Sequence, residues 1–135
     1  EGEEKNFLEK LIKKNKLENL IRFIVYTNNI FQYIKKLQAF ILSSLWEDPG
    51  FVLIEAAMCN SFIISSNCKN GPEELLKKGA GGLLFENNQK GELAKKFNEF
   101  LELGDKKKKM KLITKKNVLK YSLFRHFQAF MKILN

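Results

Sequence analysis

Residues 39–66 read AFILSSLWEDPGFVLIEAAMCNSFIISS, and the fold is decided there. The run Gln38 to Ser44 is short and apolar and ends in small polar residues, as a buried strand does. Asp48-Pro49 then opens a helix. Asp48 is a natural N-cap, Pro49 suits the first helical position, and the helix is expected to reach about Cys59. Phe62 to Ser66 is the next strand. Strand, helix and strand of these lengths imply a parallel βαβ unit with a right-handed crossover. Ligands of such units sit outside the carboxyl ends of the strands. That directs attention to the loops 44–50 and 67–71, and to the one after Tyr26.

The same alternation extends in both directions. Upstream, Phe7, Leu8, Leu11 and Ile12 recur at helical spacing between Lys5 and Lys16. A strand is expected over Ile21 to Tyr26, broken by Asn28 and Asn29, which can cap a short helix over Ile30 to Lys36. Downstream, Gly71-Pro72-Glu73-Glu74 opens another helix, with proline early and acids in its first turn. Gly79 to Gly82 reads as a turn; it is not a phosphate loop, because no Lys-Ser/Thr pair follows it. Leu83 to Phe85 is a further strand. Helices are expected over Gly91 to Leu103, Lys106 to Lys120 and Ser122 to Leu134. The expected architecture is a single α/β domain over residues 1–135: a Rossmann-like parallel sheet, flanking helices and a helical C-terminus.

Glu47 and Glu55 are separated by seven residues. The first lies just before a helix and the second about two turns into it, on the order of 10 Å away along the axis. That suits two grips on one extended ligand. Between them the N–H groups of Gly50, Phe51 and Val52 belong to the first helical turn and are free to meet an anion. Gly50 lets the backbone come close to it. A phosphate between two polyol ends would satisfy the whole arrangement. A glycosidase acid pair is unattractive, because retaining glycosidases need carboxyl groups about 5–5.5 Å apart.

This stretch resembles the glutamate–seven–glutamate motif of glycosyltransferase family 4, retaining enzymes of GT-B architecture. Ala39 to Ser44 is similar to the strand that precedes the motif, Glu55 to Cys59 to its helix and Phe62 to Ser66 to the strand that follows. Asn70-Gly71-Pro72-Glu73-Glu74, Gly82 to Phe85 and Tyr121-Ser122-Leu123 continue in the family's order. The resemblance implies the later part of a C-terminal, donor-binding domain. It implies transfer of a sugar from a nucleotide-diphosphate-sugar to a glycan or lipid-linked acceptor with retention, in surface polysaccharide biosynthesis. Glu47 would be the catalytic-site carboxylate on the donor sugar's hydroxyls. The amides of Gly50, Phe51 and Val52 would meet sugar or phosphate, and Glu55 the ribose. Tyr26 would lie near the base, and Asn70 and Gly71 would line the pocket mouth. No cofactor and no obligatory metal are implied.

The chain departs from the family at Val25 and Asn60, where glycine is usual, and at Phe62, where proline is usual. Asn60 can still take a left-handed helix cap. The family's earlier strands, the Arg and Lys that neutralise the leaving diphosphate, and the acceptor domain have no counterpart here. By resemblance the chain alone is expected not to transfer sugar, and its exposed sheet edges to self-associate. An inactive or regulatory glycosyltransferase remnant is the alternative reading.

Composition narrows the remaining classes. Hydrophobic residues make up 44% of 135 residues, enough for a packed core. The formal charge of +9 is almost all lysine, with only Arg22 and Arg125 as arginines. Lysine is scattered over many helices, so a nucleic-acid module is disfavoured. An anionic membrane surface remains open for a polybasic face. Cys59, Cys68 and His126 fit no zinc spacing, and a reduced cytoplasmic protein is expected, peripheral at most. The lysine run 106–109 reads as a solvated helix start, Trp46 as a packed aromatic and His126 as core edge or surface.

Overall fold

The computed structural model describes residues 2–24, 26–48 and 50–134. Val25 and Pro49, read above as part of a strand and as a first helical residue, lie outside the described residues. The chain sorts into two compact units, Glu1–Ile30 and Phe31–Asn135.

The first unit holds α1 (Lys5–Lys14). Its end is a Schellman motif: the N–H of Leu17 donates to the Ile12 carbonyl and that of Lys16 to Lys13, with Lys16 at φ 56°. No residue of the helix is buried. Its apolar flank and the segment that follows instead wall two hollows, of about 690 and 280 Å³. The expected strand over Ile21 to Tyr26 does not form among the described residues, all of which are irregular. A strand exists only through the ladder bonds of a neighbour, and no described residue pairs with this run.

The second unit contains α2 (Phe31–Ile34), β1 (Ala39–Leu42), α3 (Phe51–Met58), β2 (Phe62–Ser66), α4 (Pro72–Leu75) and β3 (Leu83–Phe85). Three longer helices follow: α5 (Glu92–Glu102), α6 (Lys106–Val118) and, after a 3-10 turn at Leu119–Tyr121, α7 (Leu123–Leu134). The sheet is parallel throughout, in the order β1-β2-β3. Every residue of β2 is buried. Ile63 points into a core with Ile34, Leu53, Ala56, Ala57, Leu75, Leu76 and Val118, built by α2, α3, α4 and α6. Phe62 and Ile64 point the other way, against Leu83, Phe85 and Phe100, under α5. A central parallel strand covered on both faces favours apolar residues without alternation, as at Phe62 to Ile64, while the buried Ser65 and Ser66 donate their hydroxyls to the Ser66 and Ser44 carbonyls. Phe62 fills the position where proline is usual and stacks at 5.0 Å on Phe100.

The helix α3 starts later than expected. Its N-cap is Gly50, in the left-handed conformation at φ 73°, and not Asp48. No side chain caps it. At its other end Asn60 takes the left-handed cap at φ 63°. The Ser61 N–H bonds to Ala56 and that of Asn60 to Ala57, a second Schellman motif.

The turn before β3 is packed to its limit. A Cβ on Gly82 would lie 2.6 Å from the Ile63 carbonyl oxygen. Beside it, Thr114 of α6 donates its hydroxyl to Gly81 O at 2.6 Å. The lysine run opens α6 with three of its four side chains exposed, while Lys107 lies 4.1 Å over the ring of Phe100. The apolar residues of α7 are all exposed, from Met131 at 38% to Leu123 at 85%, and so is His126. No described helix is long and apolar enough to cross a membrane.

Candidate functional site

The carboxyl ends of β1 and β2 carry the two loops that the sequence singled out. Beyond the strands they are linked once more, by a parallel bridge between Trp46 and Lys69. The Ser66 hydroxyl ties them from beneath, donating to Ser44 O at 2.6 Å. Trp46, expected to pack, leaves 61% of its surface exposed.

This bracing sets the position of Glu47. The residue is half-buried, and its side chain lies folded against Gly50: a Cβ there would be 3.7 Å from both Cβ and Oε2 of Glu47. The carboxylate therefore sits at the head of α3, where the helix dipole is positive. The N–H groups of Gly50, Phe51 and Val52 have no acceptor among the described residues. Gly50 is buried, Phe51 exposed, and Val52 half-buried. Glu55, also half-buried, follows Phe51 by one helical turn and so shares its face of α3. Two carboxylates and a row of amides unpaired among the described residues thus belong to one helix and its approach.

A hollow of about 230 Å³ opens on the flank of α3. It is lined by Phe51, Ile54, Asn70, Gly71, Glu74, Leu75 and Tyr121. It brings together three of the expected site residues, Phe51, Asn70 and Gly71. Glu47, Gly50, Val52 and Glu55 are not in its lining. Tyr26 belongs to the first unit, where it is 92% exposed and lines the larger hollow with Phe23 and Ile24.

Sequence reasoning did not place Glu74 and Tyr121 in a site. The Glu74 carboxylate accepts from Lys120 Nζ at 2.7 Å and from Tyr121 Oη at 2.6 Å. Lys120 also lies 4.8 Å over the Tyr121 ring. The hydrogen bond from Lys120, then that from Tyr121, holds the Glu74 carboxyl below the usual carboxylate range. The same bond raises Lys120. Burial, and then the hydrogen bond to Glu74, pushes the Tyr121 phenol up. Nearby, Asn117 Nδ2 donates to the Glu74 and Leu75 carbonyls at 2.9 Å, closing the end of α4. Glu74 and Tyr121 are 47 residues apart. The only signal for their meeting was that each lies in a segment of family-like sequence. Among the described residues no group of three or more His, Cys, Asp or Glu could hold a metal ion.

Comparison with known proteins follows this geometry. The family model described as "Glycosyl transferases group 1" matches residues 1–117. An uncharacterized glycosyltransferase of Methanocaldococcus jannaschii is 41% identical over 76 residues, 56% of this chain and 19% of that protein. The N-acetylgalactosamine-N,N'-diacetylbacillosaminyl-diphospho-undecaprenol 4-alpha-N-acetylgalactosaminyltransferase of Campylobacter jejuni is 31% identical over 102 residues, 76% of this chain and 28% of that one. The crystal structure of Anabaena HepE in complex with UDP superposes with a TM-score of 0.83 at 22% identity. It covers 97% of this chain and 37% of its own. These findings fix the class: the chain belongs to the group 1 glycosyl transferases. It spans about a fifth to a third of the length of the curated relatives it matches. The α/β fold expected from the sequence, the later part of a GT-B C-terminal domain, is the fold these likenesses share.

Proposed function

We propose that this chain is the donor-binding part of a retaining glycosyltransferase. The reaction would move a sugar from a nucleotide-diphosphate-sugar to a glycan or lipid-linked acceptor, in surface polysaccharide biosynthesis. One observation carries the reading: the Glu47 carboxylate lies against Gly50 at the head of α3, beside three amides without acceptors among the described residues, with Glu55 one turn beyond Phe51. Glu47 holds hydroxyls of the donor sugar. The amides of Gly50, Phe51 and Val52 face sugar or phosphate, where partial positive charge favours an anion. Glu55 takes the ribose hydroxyls. Asn70 and Gly71 form the mouth. The chemistry needs no bound cofactor and no obligatory metal, because amides and cationic side chains can stabilise the departing diphosphate.

Two relatives support the substrate class. HepE was crystallised with UDP, and the Campylobacter enzyme is named for an undecaprenol-linked acceptor. A lipid-linked acceptor would suit an enzyme working at the cytoplasmic face of a membrane, and a charge of +9 would favour an anionic surface there. The edges of β1 and β3, unpaired among the described residues, suit association with further strands or a second copy.

The test is made in the intact enzyme. Glu55→Ala is expected to weaken UDP binding by about ten- to a hundredfold, as loss of charge-assisted hydrogen bonds does. Glu47→Ala is expected to lower kcat with the full nucleotide-sugar and leave UDP affinity near wild type. Wild-type kinetics in both variants would refute the assignment. The chain alone is expected to show no transfer, because orienting the acceptor hydroxyl, an effect worth about 7–11 kcal/mol, would fall to other parts of the intact enzyme.

A further inference from the structure

The wall of the hollow between α3 and α4 contains the dipeptide Asn70-Gly71. We propose that this dipeptide is a self-modification site, at which Asn70 converts to aspartate and isoaspartate. In the first step the Gly71 backbone nitrogen, giving up its proton to solvent, attacks the Asn70 side-chain carbon Cγ. A nitrogen–carbon bond forms, the carbon–nitrogen bond of the side-chain amide breaks, and ammonia leaves. The product is a five-membered succinimide. Water then opens the ring at either carbonyl. The net change is asparagine plus water to aspartate or isoaspartate plus ammonia, with no oxidation or reduction.

Three features at this position favour the step. Asn70 is exposed, and its side-chain amide makes no hydrogen bond among the described residues. The Gly71 N–H likewise has no acceptor among the described residues, so none of their bonds must be broken to free the nucleophile. Gly71 also carries no Cβ to obstruct the approach. A second asparagine in the same unit provides the contrast. Asn60 is exposed and left-handed at φ 63°, much like Asn70 at 66°. Its follower, Ser61, is buried; the Ser61 N–H donates to Ala56 O at 3.0 Å and its hydroxyl to Ile34 O at 2.8 Å. The nucleophile there is held, and attack would require the α3 cap to open.

Conversion of Asn70 has a local consequence. It places a carboxylate in a wall that already holds Glu74, and the isoaspartate form adds a carbon to the main chain just before α4. On the donor-binding reading proposed above, this charge repels the diphosphate and lowers donor affinity as the protein ages.

The test incubates the chain in mildly alkaline buffer at physiological temperature, folded and in urea, and follows each asparagine by peptide mapping and enzymatic isoaspartate methylation. Folding is expected to slow conversion at Asn60 by at least about tenfold, the factor one retained hydrogen bond supplies. At Asn70 folded and unfolded rates should agree within about threefold, well short of that hydrogen-bond factor. Asn70→Gln should abolish the signal at this position. An Asn70 that stays intact in the folded chain while converting in urea overturns the proposal. Aged and fresh protein are then compared for UDP binding, where a new charge near the diphosphate should cost about three- to tenfold in affinity. Equal affinity removes the proposed consequence. Absence of UDP binding by fresh protein would count against the donor-binding reading and leave the modification standing on the mapping.

Discussion

Two apolar runs in this chain look alike and end differently. Ile21 to Tyr26 and Phe62 to Ser66 are both short, rich in Ile and Phe, and both expected as strands. The second is a strand with every residue buried. The described part of the first is irregular, with Ile21, Phe23 and Ile24 between 41% and 48% exposed. Intrinsic preference is similar in the two, so preference does not decide. Phe62 to Ser66 has β1 on one side, β3 on the other, and helices over both faces. Ile21 to Tyr26 has no ladder partner among the described residues. Strand structure is thus a property of the neighbour as much as of the run.

The comparison can be broken most severely at its matched isoleucines. Ile64→Ala in β2 should destabilise the second unit by about 2–5 kcal/mol, since the residue is fully buried and leaves a cavity. Ile24→Ala should change unfolding by less than about 0.5 kcal/mol. Urea denaturation of both variants checks this, and equal effects would mean that Ile24 is buried in solution. The next largest effect tests whether β2 has slack. Gly82→Ala drives a methyl group into the Ile63 carbonyl and the Leu76 side chain, and should cost about 1–3 kcal/mol by overpacking. A neutral result would show that β2 and the turn can part.

A smaller effect is expected at the edge of this core. Asn117→Ala removes the donor to two α4 carbonyls and should cost about 1 kcal/mol. The smallest concerns pH. The lowered Glu74 carboxyl contributes above the ordinary carboxylate range, and its contribution is lost as pH falls through the depressed value. The raised Lys120 contributes below the ordinary lysine range and is lost as pH rises through the elevated value. The link among Glu74, Lys120 and Tyr121 should therefore persist from mild acid to mild alkali and open only beyond. Both partners are at least half exposed, so salt should weaken it. Tyrosine NMR shifts against pH, at low and high salt, follow the opening.

What could be read in the sequence divides along the same line. Phe62 to Ser66 and Leu83 to Phe85 were legible to the residue, because burial on both faces leaves a continuous apolar signature bounded by polar residues. The start at Pro72 was legible from proline and the two acids. The head of α3 was not: Asp48-Pro49 looks like a cap, yet the chain turns into the helix at Gly50 through a left-handed backbone that asks no side chain for help. The paired glutamates of the site were visible because both lie within one local helix and its approach. Glu74 and Tyr121 were not, because their contact is made by tertiary packing, and no local periodicity encodes a meeting across 47 residues.

That separation also bears on how the second unit assembles. Each parallel pairing of the sheet joins strands only about twenty residues apart, so β1, β2 and β3 can meet through successive short closures. The contacts of Thr114 with Gly81 and of Tyr121 with Glu74 span longer loops, and loop-closure entropy grows with length. We therefore expect the three strands and α3 to form before α6 and its 3-10 turn are seated, an order that φ-values at Ile64 and Thr114 would check. Closure at Glu74 would then come late, so Glu74 and Tyr121, which line the hollow, would report that the long-range contacts of this unit have formed.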